Sequence, residues 1–355
     1  MLDKFKIDSH KLFYHIPRLQ QWLQGDNIYP IYMEIGLYRG CNHRCIFCAF
    51  DFLEYKPDIL NTKKLKKFIR QAKALGVKAI LYSGEGEPLL HPDAAKIINF
   101  TKQAGIDVAV ASNGIRLTEA VAKKIIPALS WLKISLNAGT KLTYAKLHRT
   151  KASDFDLVLD NLKKAVFIRD KYHYPCVIGA QSVLLPDNYH EMEKLAGKLR
   201  ALRLDYLVVK PYSQHSFSQS KLKVNFSEKD LLSLQKKLNT YSREKFRVIF
   251  RINAMNKIKK EKPYANCLGF PFVSHLAATG DLYPCTVFIG QKDYRMGSIY
   301  TNSFQRIWES NQRQRVLKKI YTGWDIQKCR QSCRIDEINR YLWELKHPVQ
   351  HINFI

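Results

Sequence analysis

The chain has 355 residues, of which 46% are hydrophobic and 25% are charged, as expected for an ordinary soluble protein. No apolar stretch is long enough to cross a bilayer, and the N-terminal residues lack the pattern of an export signal, so we expect no membrane span and a cytoplasmic location. The 58 basic and 31 acidic residues leave a net charge of +27. Nucleic acid is therefore an alternative partner, but we do not favour it because no recognition motif accompanies the charge.

Six short β-rich runs alternate with helical patterns along the first 210 residues. Thr62, Thr118, Ser153 and Asn188 are candidate caps at the start of four of these helices. A crossover helix returns each strand in the same direction, which predicts parallel pairing. The predicted fold is therefore α/β, a partial (β/α)6 TIM-like barrel with a small C-terminal cysteine-containing α+β extension. The predicted strands are 31–37, 79–83, 108–112, 131–136, 177–185 and 206–210.

The rhythm of strands and helices changes after about residue 213. We predict an N-terminal extension over 1–30, the core barrel over 31–213, a connecting segment over 214–264 and the cysteine-containing extension over 265–355. Within that extension, 272–278 and 282–289 form a predicted hairpin with Gly280 at its turn. In barrels of this kind, reactive groups gather at the carboxyl ends of the strands.

Three cysteines follow the first predicted strand, Cys41, Cys45 and Cys48. Three thiolates at this spacing can hold an iron–sulfur cubane from one loop and leave its fourth iron without a protein ligand. An open metal position allows a cofactor or substrate to coordinate. The alternative is a zinc site with His43 as the fourth ligand, although the spacing makes it awkward for His43 to fold back onto the same ion.

The three cysteines, with Phe47 just before the last, resemble the signature of the radical S-adenosylmethionine (SAM) superfamily. After the second strand, Gly86, Glu87 and Pro88 resemble the family's Gly-Gly-Glu-Pro motif, which holds the methionine amine; Glu85 stands where a second glycine is usual. Without the resemblance, this segment is an ordinary turn that ends a strand.

The resemblance extends to the ends of the next two strands. It implies that Ser112 and Asn113 contact the SAM ribose or carboxylate, and that Asn137 stands where relatives often carry aspartate. Arg149 resembles a basic residue that many relatives direct at the SAM carboxylate. The alternatives are ordinary turn residues and a solvated arginine.

Four further cysteines, Cys267, Cys285, Cys329 and Cys333, occur in the C-terminal extension. They resemble the short "twitch" version of the SPASM domain, which implies one auxiliary [4Fe-4S] cluster. A closed tetrahedral zinc site is the alternative, because four cysteines satisfy it equally well.

Two residues outside these groups are candidates for a catalytic role. Cys176 opens the fifth strand; a buried inert thiol is one interpretation, and a hydrogen-atom donor to a substrate radical is the other. Lys210 ends the sixth strand and is expected to face the cavity, although surface loop chemistry is equally compatible.

The resemblance implies the chemistry. SAM binds the open iron of a [4Fe-4S] cluster, one electron from a flavodoxin- or ferredoxin-like donor cleaves it, and the resulting radical abstracts a hydrogen atom from substrate. We predict oxidation or epimerisation of a small hydroxylated molecule. The alternatives are peptide modification, RNA modification, and a zinc or iron–sulfur protein with a structural or electron-transfer role and no catalysis of its own.

Overall fold

A computed structural model describes residues 5–7, 9–258 and 260–354. Within this part of the chain, ten strands form one sheet in the order β10-β9-β8-β1-β2-β3-β4-β5-β6-β7. The strands are β1 (Tyr32–Ile35), β2 (Ala79–Tyr82), β3 (Asp107–Ser112), β4 (Trp131–Ser135), β5 (Val177–Leu184), β6 (Tyr206–Pro211), β7 (Arg247–Phe250), β8 (Val273–Leu276), β9 (Asp281–Tyr283) and β10 (Gly297–Ser298).

The described part of the chain contains twelve α-helices. They are α1 (Ile16–Leu23), α2 (Thr62–Ala74), α3 (Ala94–Gln103), α4 (Glu119–Ile125), α5 (Lys141–His148), α6 (Ser153–Lys171), α7 (Met192–Ala201), α8 (Glu228–Asn239), α9 (Ile252–Lys257), α10 (Phe304–Trp308), α11 (Asn311–Gly323) and α12 (Asp336–Lys346). Those from α2 to α9 lie in the connections between the parallel strands. None of the described helices is both long and apolar enough to cross a membrane.

The predicted α/β class with a parallel core is confirmed. All six predicted strands are present, and each observed end lies within two residues of the predicted one. Pairing from β1 to β6 is parallel throughout. The carboxyl ends of these strands therefore lie along one edge, where the loops that follow them meet.

Two further strands extend the parallel part to eight. Strand β7 lies within the predicted connecting segment and pairs in parallel with β6. Strand β8, in the first arm of the predicted hairpin, pairs in parallel with β1 and antiparallel with β9. No ladder joins β7 to β8 among the described residues, so the barrel is open there. The domain boundaries stay predictions.

The local start signals of the helices are largely as the sequence predicts. Thr118 caps α4 by accepting a hydrogen bond from Val121 N. Helices α2 and α6 begin at Thr62 and Ser153 themselves, so each predicted cap is shifted by one residue. Asn188 lies in a 3-10 turn and accepts a hydrogen bond from Leu185 N at 2.8 Å.

Candidate functional site

The first three cysteines lie in the loop that leaves β1. The backbone amide of Cys48 donates to Cys45 O at 3.0 Å, which makes this part of the loop a tight turn. Burial, together with the nearby Glu87 carboxylate and Cys48 thiol, raises the pKa of Cys41 to about 11. Burial, followed by Cys48 and Cys41, also raises the pKa of Cys45. Such mutually close, desolvated thiols ionise when a metal supplies the positive charge.

The loop after β2 packs against the cysteine loop through its backbone. A Cβ atom on Gly86 would lie 2.1 Å from Tyr38 O and 2.5 Å from Gly40 O, so no other residue fits there without displacing the loop. The amide of Glu87 donates to Gly40 O at 3.0 Å. Pro88 then opens a 3-10 turn. The structure thus brings the predicted SAM-binding motif directly against the residue preceding Cys41.

Glu87 joins this loop to the end of β3. One carboxylate oxygen accepts from Ser112 Oγ at 2.8 Å and from Leu89 N at 3.0 Å, and the other accepts from Asn113 N at 2.7 Å. Burial raises the pKa of Glu87 above its usual value, although these three donors oppose the shift. The buried carboxylate is therefore placed to gain from a cationic ligand such as an ammonium group.

Asn113 connects this group of polar residues to the cysteine loop. Its Nδ2 atom donates to Asn42 Oδ1 at 2.7 Å and lies 3.9 Å from Cys41 Sγ. Residues from the ends of β1, β2 and β3 are therefore in mutual contact, as the predicted site requires.

His148, at the end of α5, contacts the second cysteine of the loop, Cys45. No sequence pattern had identified His148. Its Nδ1 atom is 3.3 Å from Cys45 Sγ, and its Nε2 atom is 3.2 Å from Asn137 Nδ2. Its ring packs edge-on against Phe47 and stacks on Tyr144. Burial lowers the pKa of His148 well below its usual value, so the ring is neutral. A neutral imidazole can donate to a bound thiolate.

The predicted cofactor residues Asn137 and Arg149 lie elsewhere than Glu87. The Oδ1 atom of Asn137 accepts from Val183 N at 2.6 Å, which ties the end of β4 to β5, and its carbonyl accepts from Asn188. Arg149 is exposed at the C-cap of α5, with φ of 48°. Among the described residues, neither side chain hydrogen-bonds to Glu87 or to a cysteine, although Asn137 is linked to Cys45 through His148.

The alternative zinc ligand His43 lies close to Cys45 and His148. One possible ligand atom from each of these three residues lies within 4.8 Å of the others. Burial lowers the pKa of His43 to about 4, and Asp154, 3.9 Å away, opposes the shift. His43 therefore lies near enough to Cys45 to share a metal ion with it, as the alternative zinc site requires.

The four C-terminal cysteines surround one buried cavity. Cys267, Cys285, Cys329 and Cys333 all line it, with apolar neighbours that include Phe270, Phe288 and Trp324. Burial raises the pKa of each of these four thiols. A shared cavity with four sulfur donors fits a cluster with complete protein ligation. The five-residue span from Cys329 to Cys333 does not prevent these two thiols from converging.

The loop that carries Cys329 and Cys333 contacts the end of the barrel. Ser332 N donates to Ser213 Oγ at 3.1 Å, and Ser216 Oγ donates to Lys328 O at 3.0 Å. Ser213 and Ser216 follow β6. The second sulfur cavity thus adjoins the carboxyl edge of the barrel.

The two candidate catalytic residues occupy opposite ends of their strands. Cys176 immediately precedes β5, at the amino end, where its side chain is buried and burial raises its pKa to about 12. This position supports the inert-thiol interpretation. Lys210 lies near the carboxyl end of β6 and is half-buried.

Comparison with known families identifies the class of protein. The profile of the radical SAM superfamily matches residues 35–199, which run from the last residue of β1 through β5 into α7 and include the first cysteine loop. The chain belongs to this superfamily and is a radical SAM enzyme. The profile of an iron–sulfur cluster-binding domain, SPASM, matches residues 272–334. The chain is thus a radical SAM enzyme with a SPASM domain. Its cofactors are SAM, a SAM-binding [4Fe-4S] cluster and auxiliary iron–sulfur cluster content in the SPASM domain.

Two similar curated proteins are named as enzymes. A probable GTP 3′,8-cyclase of Saccharolobus islandicus is 30% identical over 135 residues, which cover 38% of this chain and 43% of that protein. An S-adenosylmethionine-dependent nucleotide dehydratase of Lacinutrix mariniflava is 30% identical over 139 residues, covering 36% of this chain and 29% of that protein. The matches span less than half the length of these curated relatives.

Solved structures share the fold over most of the chain. SuiB of Streptococcus suis, bound to S-adenosylmethionine, has a TM-score of 0.64 at 18% identity and covers 88% of this chain and 72% of that chain. The structure of anSMEcpe with bound AdoMet has a TM-score of 0.58 at 16% identity and covers 89% of this chain and 95% of that chain. At these identities the likeness establishes the fold.

Proposed function

We propose that this protein abstracts a hydrogen atom from a C–H bond of a small hydroxylated molecule, which leads to oxidation or epimerisation of that molecule. SAM at the open iron of the first cluster supplies the 5′-deoxyadenosyl radical for this reaction. The observation that carries the proposal is the contact between the cysteine loop and the buried Glu87, Ser112 and Asn113.

The residues of this contact have separate tasks in the proposal. Cys41, Cys45 and Cys48 hold three irons, while Glu87 accepts the SAM amine. Gly86 leaves the space that brings Glu87 next to the cluster loop. Because Ser112 and Asn113 already hold the Glu87 carboxylate, it is oriented before SAM binds, which lowers the entropic cost of positioning the cofactor.

The auxiliary cysteines hold a second cluster at the edge of the barrel. The contacts of Ser213 with Ser332 and of Ser216 with Lys328 support this position, because both serines of the barrel follow the carboxyl end of β6. In this proposal, the second cluster takes up an electron from the substrate radical or helps to position the substrate. The first cluster receives its electron from a flavodoxin- or ferredoxin-like donor.

The names of the relatives support a small substrate. GTP and other nucleotides are small hydroxylated molecules, and two relatives are named for reactions on them. A peptide substrate is the second candidate, because a SuiB structure with its precursor peptide shares the fold at a TM-score of 0.64 and 16% identity.

Anaerobic reconstitution with iron and sulfide tests the proposed function. The reduced, brown protein is expected to convert SAM to 5′-deoxyadenosine, and turnover is expected to rise with the true substrate. Screening deuterated metabolites and peptides for deuterium transfer into 5′-deoxyadenosine then identifies the substrate. A colourless zinc protein without SAM cleavage would contradict the proposal.

A further inference from the structure

Positive side chains line the barrel interior on the side away from Glu87. Along β4, Leu132 and Ile134 are fully buried, whereas the alternating Trp131, Lys133 and Ser135 are half-buried. Alternate residues of a strand point to opposite faces, so the second set faces the open interior of the barrel. Lys133 is therefore a cation inside the barrel and not on its solvated outer surface.

Lys133 is held in place by its neighbours. Its Nζ atom donates to Gln181 Oε1 on β5 at 3.1 Å and lies 5.3 Å from the centroid of the Trp131 ring. It forms no salt bridge with any residue that the structure describes. The amide and the ring orient the ammonium group without neutralising its charge.

Lys210 provides a second cation on β6. Its side chain makes neither a hydrogen bond nor an ion pair within the described part of the chain. The amide of Arg251 donates to Val209 O at 3.0 Å, which places Arg251 beside Lys210 as the parallel register continues beyond β7. Burial lowers the pKa of Lys210 well below its usual value, and Lys133, Arg330 and Arg251 lower it further. These four basic groups therefore act on the same region, and a bound anion would favour the protonated, charged form of Lys210.

Arg330 comes from the auxiliary cysteine loop. One of its guanidinium nitrogens donates to Ser213 O at 3.4 Å, directly after β6, and its buried Nε atom has no hydrogen-bond partner. A buried donor without a partner costs free energy that a bound acceptor would recover. The SPASM domain thus contributes a cation to the barrel cavity beside Lys210.

We propose that Lys133, Lys210 and Arg330 bind the phosphate group of a phosphorylated substrate inside the barrel. Several cations from different strands and loops suit a phosphate, which has up to two negative charges and several acceptor oxygens, whereas one arginine fork satisfies a carboxylate. The first cluster and Glu87 lie at β1 to β3, and these cations lie at β4 to β7, so SAM and the anionic group occupy different sides of the cavity. This inference rests on the proposed function and specifies its substrate class.

Binding of inorganic pyrophosphate to the reconstituted protein with both clusters tests this inference. Calorimetry at fixed ionic strength compares the wild type with Lys210→Met, Lys133→Met and Arg330→Gln. Each substitution removes a charge-assisted contact and is expected to raise the Kd roughly tenfold or more. Lys67→Met, on the exposed face of α2, is the matched control. It removes only one of the many charges that make up the net charge of +27 and is expected to leave the Kd unchanged.

Glutarate serves as the comparison anion, and circular dichroism checks that each variant folds. If Lys210→Met fails to fold, Lys133→Met and Arg330→Gln decide the result. Absent pyrophosphate binding, unchanged affinity in the folded variants, or equally tight binding of glutarate would overturn the inference. Formation of 5′-deoxyadenosine by the wild type is measured separately, so failure of the proposed function is distinguished from failure of this site.

Discussion

The Oε2 atom of Glu85 lies 3.1 Å from Nε2 of His275, and both side chains are buried. Glu85 precedes the Gly-Glu-Pro segment of the SAM site, whereas His275 lies on β8 in the SPASM region. The other carboxylate oxygen accepts from Ala278 N at 2.6 Å. A Cβ atom on Gly36 would lie 2.4 Å from this carboxylate, so Gly36 leaves space for the pair. This pair links the two cofactor regions.

We expect His275→Leu to lower the free energy of unfolding by about 3 kcal/mol or more, because it leaves the Glu85 carboxylate buried without its partner. The double variant Glu85→Leu/His275→Leu is expected to lose less than the sum of the two single variants, by about 1–3 kcal/mol. Urea unfolding of the metal-free protein measures these changes. Full additivity of the two substitutions would show that the pair contributes no coupling.

The exposed pair of Lys123 and Glu119 on α4 provides a control for this cycle. Solvent screens this pair, and Lys123→Ala is expected to leave the urea midpoint unchanged.

Burial would raise the pKa of Glu85, but His275 and Ala278 N lower it below its usual 4.5. The stabilisation from Glu85 ionisation is therefore present at neutral pH and is lost only as the pH falls below about 4.5, through the folded-state pKa.

Gly86→Ala is expected to impair the first cluster and spare the second. The added Cβ would overlap the carbonyl oxygens of Tyr38 and Gly40, so the cysteine loop must move. We expect iron per chain to fall by about half, from two four-iron clusters to one, as measured by iron and sulfide analysis. Gly197→Ala is the matched control, because its Cβ would meet only Tyr241 at 3.5 Å within a helix. Normal iron content in Gly86→Ala would contradict the role given to this glycine.

Thiol accessibility tests the assignment of the eight cysteines. Seven of them are predicted cluster ligands, and Cys176 is buried with its pKa raised to about 12. We therefore expect the native reconstituted protein to show no thiol that reacts with Ellman's reagent at pH 8. Denaturation in the presence of a chelator is expected to expose all eight. Rapid labelling of Cys176 in the native protein would contradict its placement in the core.

Much of the first site was predictable from the sequence because its contacts are local to strand ends. Cysteine spacing, the Gly86–Glu87 segment and the polar residues after β3 all follow strands whose patterns are clear. Parallel pairing then brings these ends together. Asn137 and Arg149 occur at comparable places in the chain. However, the side chain of Asn137 hydrogen-bonds to Val183 N, and Arg149 is exposed at the C-cap of α5.

No local sequence pattern predicts the contacts between segments that are distant in the chain. His275 lies in a β-rich run whose pairing with β1 depends on the tertiary fold, so its contact with Glu85, 190 residues away, was not predictable. Lys133 and Arg330 are single basic residues among 58, and only the strand register and the auxiliary loop bring them towards Lys210. Local patterns predict elements, whereas the convergence of charges requires the assembled barrel.

The central claim is that Cys41, Cys45 and Cys48 hold the cluster at which SAM is cleaved. The most direct measurement is 5′-deoxyadenosine formation by the reduced, reconstituted Cys41→Ala/Cys45→Ala/Cys48→Ala variant, with Cys176→Ala as the matched cysteine control. The account predicts no SAM cleavage and retention of one four-iron cluster in the triple variant, with wild-type cleavage in Cys176→Ala. SAM cleavage by the triple variant at the wild-type rate would contradict the account.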